Sequence, residues 1–290
     1  MNQTASTTRF EAEVARRHTP DIAWPTIALL AGCWTLWLGG SALALAGIVP
    51  IWLGMISSTL ALYAVYTPVH DASHSAVVPR NKRLRWVNTV VGTLAAFPIF
   101  MTFHIHRKSH FIHHAKTNGP EDPDTFLMGN FWSVVLVKTP WTLINQLNPV
   151  AIWRSCQRLK LTASERRQTL IACLLTAAAL LGAVAAGYGL ELLLLWLVPW
   201  FVGEHVMEVT FGWFPHHDHT QTGRYSDTRI SLFPGGDILY LQQNLHLIHH
   251  MLPVVPFYRY RAVFDELRPT LVEHGARIEG FWPGSRPTAA

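Results

Sequence analysis

The chain has 290 residues, half of them hydrophobic and only 14% charged, against about 25% charged in a soluble domain. That deficit and twelve tryptophans point to a membrane protein, because tryptophan collects at lipid–water interfaces. The formal charge of +5 comes without a lysine-rich tail or an aromatic-interleaved basic patch, which argues against nucleic acid as a partner.

In chain order, the first twenty residues carry Glu11, Glu13, Arg16 and Arg17 without an apolar core, so they do not read as a cleavable signal peptide. From Ile22 to Tyr66 there is no charge at all. A crossing helix needs about 20 apolar residues, so this run holds two spans, with Gly47 to Pro50 as the turn. HDASH (His70 to His74) follows. Trp86 to Phe103 is apolar and nearly long enough to cross, but contains Pro98. A single crossing would put His70 and His74 on the opposite side from His110 to His114. The segment is therefore expected to be re-entrant or interfacial. HIHRKSHFIHH runs from His104 to His114, then TNGPEDPD from Thr117 to Asp124. The stretch Phe126 to Asn148 reads as amphipathic and interfacial. A second apolar run, Leu170 to Phe214, holds two more spans with Gly187, Tyr188 and Gly189 at the turn. FPHHDH (Phe214 to His219) and NLHLIHHMLP (Asn244 to Pro253) complete the series.

These elements predict an all-α integral membrane protein. It has four transmembrane helices as two hairpins, a re-entrant or interfacial segment and a cytoplasmic histidine-rich cap. Residues 1–290 form one domain: a first hairpin at about 22–66, boxes one and two at 67–168, a second hairpin at 170–214 and box three at 215–290. No Lys or Arg lies between Asp21 and Pro79 or between Gln168 and Gly223. The positive-inside rule therefore puts both termini and the histidines in the cytoplasm. The expected compartment is a bacterial inner membrane.

Sixteen histidines are present, and most of them cluster. The pattern HxxHH should arise by chance about 0.05 times in this length, yet it occurs as HFIHH and again as HLIHH. Residues three and four apart lie on one helix face. His70 and His74 form one such set, His110, His113 and His114 a second, His246, His249 and His250 a third. Each box is thus expected to aim its imidazoles at one spot. Neutral imidazole ligates Fe, Zn, Cu and Ni. Eight nitrogens exceed the needs of one metal, so the count suggests two metals with about four nitrogens each and room for water or oxygen. His18 and His274 are read as interfacial hydrogen-bonders, and His104 and His106 lie outside the core pattern of box two.

Ionisable groups within a span are costly and usually functional, which singles out Glu204, His205 and Glu208. Glu204, Glu208, Gly212 and His216 are four apart and share a face if the helix is unbroken, a condition that Pro215 strains. Asp71, Asp124, Glu204, Glu208 and Asn244 are candidates to orient ligating rings. For the glutamates a helix-packing hydrogen bond is the competing reading. Cys33, Cys156 and Cys173 form no CxxC pair, iron–sulfur spacing or disulfide set.

HDASH, HFIHH about forty residues on, HLIHH after a second pair of spans, and TNGPEDPD together resemble the membrane fatty acid desaturase and hydroxylase superfamily. The likeness covers roughly Trp24 to Arg268. It implies a non-haem di-iron centre that uses O2 to attack an unactivated C–H bond of a long hydrophobic lipid. The ligands it implies are His70, His74, His110, His113, His114, His246, His249 and His250. A ninth ligand is implied between the second hairpin and box three. His216 is the choice, because FGWFPH is similar to the carotenoid ketolase and hydroxylase branch, with His217 and His219 as rivals. The short chain and HLIHHMLPVVPFYRYR lean the same way, towards a carotenoid-ring hydroxylase, with a fatty acyl desaturase as the alternative. FPGG (Phe233 to Gly236) lacks the histidine of a haem-binding HPGG and reads as a turn. Without haem or iron–sulfur motifs, electrons must come from a separate donor such as ferredoxin and its reductase. Arg107, Lys108, Arg259 and Arg261 could meet that carrier or anionic headgroups.

Two readings of another class compete. A metal transporter should hold its ligands near mid-membrane between spans, whereas these boxes lie outside them. A zinc hydrolase needs about three ligands and a water, which leaves most of the histidines idle. A non-catalytic scaffold does not explain paired HxxHH.

Overall fold

The computed structural model describes residues 3–218 and 220–287. It is an all-α membrane protein with, among the described residues, four helices long and apolar enough to cross a bilayer. Helix α1 (Gln3–His18) precedes the first two of these, α2 (Trp24–Leu45) and α3 (Ile51–Ser73). Then come α4 (Trp86–Ala96), α5 (Phe103–Lys116), α6 (Thr139–Gln146) and α7 (Pro149–Arg158). The other two long helices are α8 (Ala163–Ala185) and α9 (Gly189–His216), and α10 (His246–Met251) and α11 (Tyr260–Glu273) follow. Among the described residues the strand content is one parallel pair, Ile230–Ser231 with Ile278–Glu279.

Local chemistry sets these limits. Both hairpins turn on glycine in the left-handed region, Gly47 at φ 70° and Gly187 at φ 86°, a conformation that costs glycine little. Helix α7 starts at Pro149 behind Asn148, whose side chain accepts from the next two backbone N–H groups. Helix α8 starts at a reciprocal capping box of Thr162 and Glu165. Among the described residues there are three widened, π-helical turns: Val134–Lys138, Leu193–Leu197 and Glu208–Trp213. Each ends two residues before a proline, Pro140, Pro199 and Pro215. A proline clashes with the carbonyl four residues back, and widening the turn relieves the clash without ending the helix. Helix α9 therefore runs through Pro215 to His216. Helix α3 likewise continues past Tyr66, so His70 lies within its last turns.

The apolar segment before box two doubles back. Lys82–Ile99 and Phe103–Lys116 meet at 103°, with Pro98 in a 3₁₀ turn and Phe100 left-handed at φ 56°. Trp196 of α9 fixes this bend. Its indole N–H donates to the Pro98 carbonyl at 2.7 Å and its ring stacks on Phe100. The turn brings the His110 ring beside that of His74, with centroids 4.8 Å apart.

One core joins α2, α3, α4, the bend and α9, through Trp37, Leu62, Val69, Ile99 and Trp200. A second, under the histidine boxes, joins α1, α10 and α11 through Val14, Leu247, Ile248, Tyr260 and Phe264. The two close on each other at Asp71, buried on α3, which accepts from the Thr26 hydroxyl at 2.6 Å and from the Phe257 N–H at 3.2 Å. Helix α9 lies against α3 at Gly203, where an added Cβ would stand 2.9 Å from the Tyr63 nitrogen and 3.1 Å from the Thr59 carbonyl oxygen. Backbone cannot retreat as a flexible side chain can. Gly203→Leu is therefore expected to separate the two helices and to cost roughly 1–3 kcal/mol or more. Thermal unfolding in detergent checks this; an unchanged midpoint would contradict the close packing.

Candidate metal centre

The boxes converge at one end of the bundle. His70 and His74 come from the end of α3, His110, His113 and His114 from α5, His216 from the end of α9, and His246, His249 and His250 from α10. Two sets of four imidazoles result: His70, His74, His110 and His249, and His113, His216, His246 and His250. Within each set the ligand nitrogens lie within 4.8 Å of one another. His114 stands between them, its Nε2 2.8 Å from that of His249 and its ring stacked on His250 at 4.2 Å. Neither HxxHH box serves a single set. His110 joins the first and His113 the second, while His249 joins the first and His246 and His250 the second. Successive helix positions differ by about 100°, so the paired histidines of each box diverge to either side.

Several rings are held from behind through Nδ1. His113 Nδ1 lies 2.9 Å from Asp122 and 3.3 Å from Asp124. His246 Nδ1 lies 3.2 Å from Gln243 Oε1, and His249 Nδ1 3.0 Å from the Tyr260 hydroxyl. His250 Nδ1 faces Thr117 Oγ1 and Asp227 at 3.5 and 3.9 Å. An Nδ1–H given outward leaves the Nε2 lone pair facing inward, which is how protein partners orient ligating imidazoles. Burial drives His249 and His250 well below the usual histidine range, and His114 down to about 3. These rings are neutral, as ligands must be. His113 goes the other way: burial opposes its charge, but Asp124 and Asp122 outweigh burial and raise its pKa. Buried ring nitrogens of His70, His74 and His250 have no hydrogen-bond partner among the described residues. Such orphaned groups are expensive, and a metal would satisfy them. An all-imidazole donor set in two groups of four, with a ninth ring between, fits two first-row metals.

Of the residues expected to steer the rings, Asp124 reaches one, and Glu208 lines the adjoining cavity. The others do not reach a ring. Asp71 is one position from His70 on the helix, hence turned away, and ties α2 to the segment after box three. Asn244 donates to the Ser231 carbonyl and to Asp237 at 3.0 and 2.9 Å. Glu204 is fully buried, and its carboxyl oxygens have no hydrogen-bond partner among the described residues. Glu208, Gly212 and His216 line the cavity and Glu204 does not.

His217 stacks on Trp213 with centroids 4.2 Å apart, away from both sets, and His219 lies outside the described residues. His18 pairs with Glu266 and His104 with Gln168, while His274 bonds the Thr270 carbonyl. His106 lines the cavity beside His110 without joining either set. Asp122, Gln243 and Tyr260 were not singled out in the sequence. Asp122 sits in the quoted PEDPD, but spacing alone does not say which acid reaches back to His113. Among the basic residues, Lys108 pairs with Glu165 and Arg261 with Asp237, while Arg107 and Arg259 lie over Phe111 and Tyr258.

A cavity of about 260 Å³ abuts both sets, touching His70, His110, His113, His216 and His246. Phe126, Leu127, Met207 and Phe211 supply its apolar walls. A second cavity of about 480 Å³ and an apolar crevice of about 220 Å³ continue from it towards Cys173, Thr176 and Leu180 of α8. The path thus leads from the imidazoles to a helix whose surface is mostly left for lipid.

Comparison with known proteins adds two findings. The family model described as fatty acid desaturase matches residues 46–282. The chain is 25% identical over 293 aligned positions to an sn-1 oleoyl-lipid 12-desaturase of Picosynechococcus sp., covering 89% of this chain and 78% of the relative. It is 23% identical over 266 positions to an sn-1 oleoyl-lipid 12-desaturase of Anabaena variabilis, covering 80% and 72%. Neither relative bears on the carotenoid branch.

Proposed function

Because the chain belongs to the fatty acid desaturase family, whose relatives here are lipid desaturases, we propose that it is an O2-dependent, non-haem di-iron oxidoreductase. Its reaction is the introduction of a double bond into an acyl chain of a membrane lipid. The observation that carries the reading is the pair of four-imidazole sets at the head of a cavity that leads to the lipid-facing surface. His70, His74, His110 and His249 would hold one iron, His113, His216, His246 and His250 the other, with His114 between. Two irons, when bound, supply the activation of O2 needed to break an unactivated C–H bond.

The protein's own part is orientation and exclusion of water. Asp122, Asp124, Gln243 and Tyr260 fix ring orientation through Nδ1. Phe126, Leu127, Met207 and Phe211 give the chain an apolar wall and keep bulk water from the reacting carbon. Electrons come from a separate carrier such as ferredoxin with its reductase. The chain sits in a bacterial inner membrane with its termini and histidine boxes on the cytoplasmic side. Ring hydroxylation of a carotenoid is the second reading, favoured by FGWFPH and by the place of His216 in the second imidazole set.

Elemental analysis with Mössbauer spectroscopy on iron-57-enriched protein, paired with lipid and pigment profiles of expressing cells, tests this. The expected result is about two coupled irons per chain, as two four-nitrogen sites require, together with new acyl double bonds. New hydroxyl groups on pigment would favour the second reading. One zinc and no iron would overturn both.

A further inference from the structure

The three cavities meet at one residue, Met101, which lines all of them. From this junction one branch runs to the imidazoles and another to the apolar crevice on α8. The middle chamber joins the two. Its walls include Asn145, Gln146 and Ser155, and Gln146 Oε1 is buried without a hydrogen-bond partner among the described residues. Arg158, at the end of α7, lines both this chamber and the imidazole cavity. Among the described residues it is the one Lys or Arg that lines any of the three.

Neighbouring cations are committed elsewhere: Lys108 to Glu165, Arg166 to the Leu161 carbonyl and Lys138 to the Met128 carbonyl. No carboxylate of the described residues pairs with Arg158. Of the acids near it, Asp124 faces His113, and Glu208 lines both the imidazole cavity and this chamber. A chamber holding amides, a hydroxyl and one uncommitted guanidinium, with an apolar crevice on one side and the apolar wall of the imidazole cavity on the other, has the shape and chemistry of a diacyl lipid with an anionic headgroup. A guanidinium binds such an anion through two parallel hydrogen bonds, and an anion in an apolar cleft is costly without one.

We propose that the middle chamber receives the glycerol and headgroup of an anionic diacyl phospholipid. Arg158 holds its phosphodiester, one acyl chain enters the imidazole cavity and the other lies in the crevice against α8. This rests on the reading of the protein as a lipid desaturase and adds the headgroup it selects.

The test uses the iron-loaded full chain with O2, ferredoxin and a reductase with its electron source, in mixed micelles with phosphatidylglycerol, an uncharged galactolipid of the same acyl composition, or free oleate. Arg158→Gln is expected to lower the phosphatidylglycerol-to-galactolipid turnover ratio about tenfold or more, as loss of a charge-assisted hydrogen bond implies. Arg158→Lys should restore part of it. An equal fall with both lipids, or no change in the ratio, overturns the proposal. A preference for oleate that the glutamine variant removes would also overturn it, since the anion would then be a carboxylate. Metal-free protein supplies an independent reading. Phosphatidylglycerol with a photoreactive group on one chain should label α5 or α9, and with the group on the other chain α8 between Cys173 and Leu180. Labelling that never reaches α8 rejects the branched arrangement. Correct labelling without turnover on any lipid would leave the binding site standing and count against the desaturase reading instead.

Discussion

Replacing His249 with alanine is expected to abolish turnover and to leave about one iron per chain or less, with the protein still in the membrane fraction. His249 is wholly buried, belongs to the first imidazole set and touches His114, the ring between the sets. Its loss opens one four-nitrogen site and removes the neighbour that positions the shared ring. Two first-row metals with about four nitrogens each cannot spare a ligand at that place. His110→Ala should behave alike, since His110 is its partner in the same set. His18→Ala, which breaks only a pair with Glu266, is the control and should keep its iron. Iron per chain, Mössbauer spectra and product formation in the same preparation decide the matter. Full turnover by His249→Ala or His110→Ala would sink the ligand assignment.

The second large effect is expected at a residue that would touch no metal. Asp122→Ala should weaken metal affinity about 10- to 100-fold, the range for carboxylates that orient ligating histidines. One oxygen faces His113 Nδ1 at 2.9 Å. The pair also accepts the backbone N–H groups of Asn118 and Asp124, each at 2.9 Å. The carboxylate thus fixes the ring and the loop behind it together. Asp122→Asn should retain part of the affinity by keeping the loop contacts. Asp124→Ala should cost less than Asp122→Ala, because Asp124 stands farther from the same nitrogen at 3.3 Å. Titration of metal-stripped protein with competing chelators measures all three. Equal affinity in wild type and Asp122→Ala would remove Asp122 from the centre.

Much of this protein is legible in its sequence, for a physical reason. Lipid demands long apolar helices, so the spans appear as apolar runs without Lys or Arg, and their turns as glycines that the structure places at positive φ. Imidazoles in an apolar setting at i, i+3 and i+4 are as conspicuous, because composition alone makes them improbable. The resemblance of HDASH, HFIHH, HLIHH and TNGPEDPD to the fatty acid desaturase superfamily was visible before any coordinate. The carotenoid lean rested on short stretches such as FGWFPH, and these do not report the walls that choose a substrate.

Other features required the tertiary structure. Spacing puts the histidines of a box on one helix face but does not say how finely that face is divided. The structure divides it, sending His249 one way and His250 the other. Spacing also could not show that Pro215 is absorbed by a widened turn, which keeps His216 on α9. Asp122, Gln243 and Tyr260 become partners of imidazoles only through the meeting of loops and helices, as Arg158 becomes the cation of the cavities only through the docking of α7 against α5. Helix periodicity and burial are local consequences of the chain and its solvent, and a sequence carries them. Which nitrogen faces which carboxylate depends on contacts between residues far apart in the chain, and those are fixed only when the whole bundle packs.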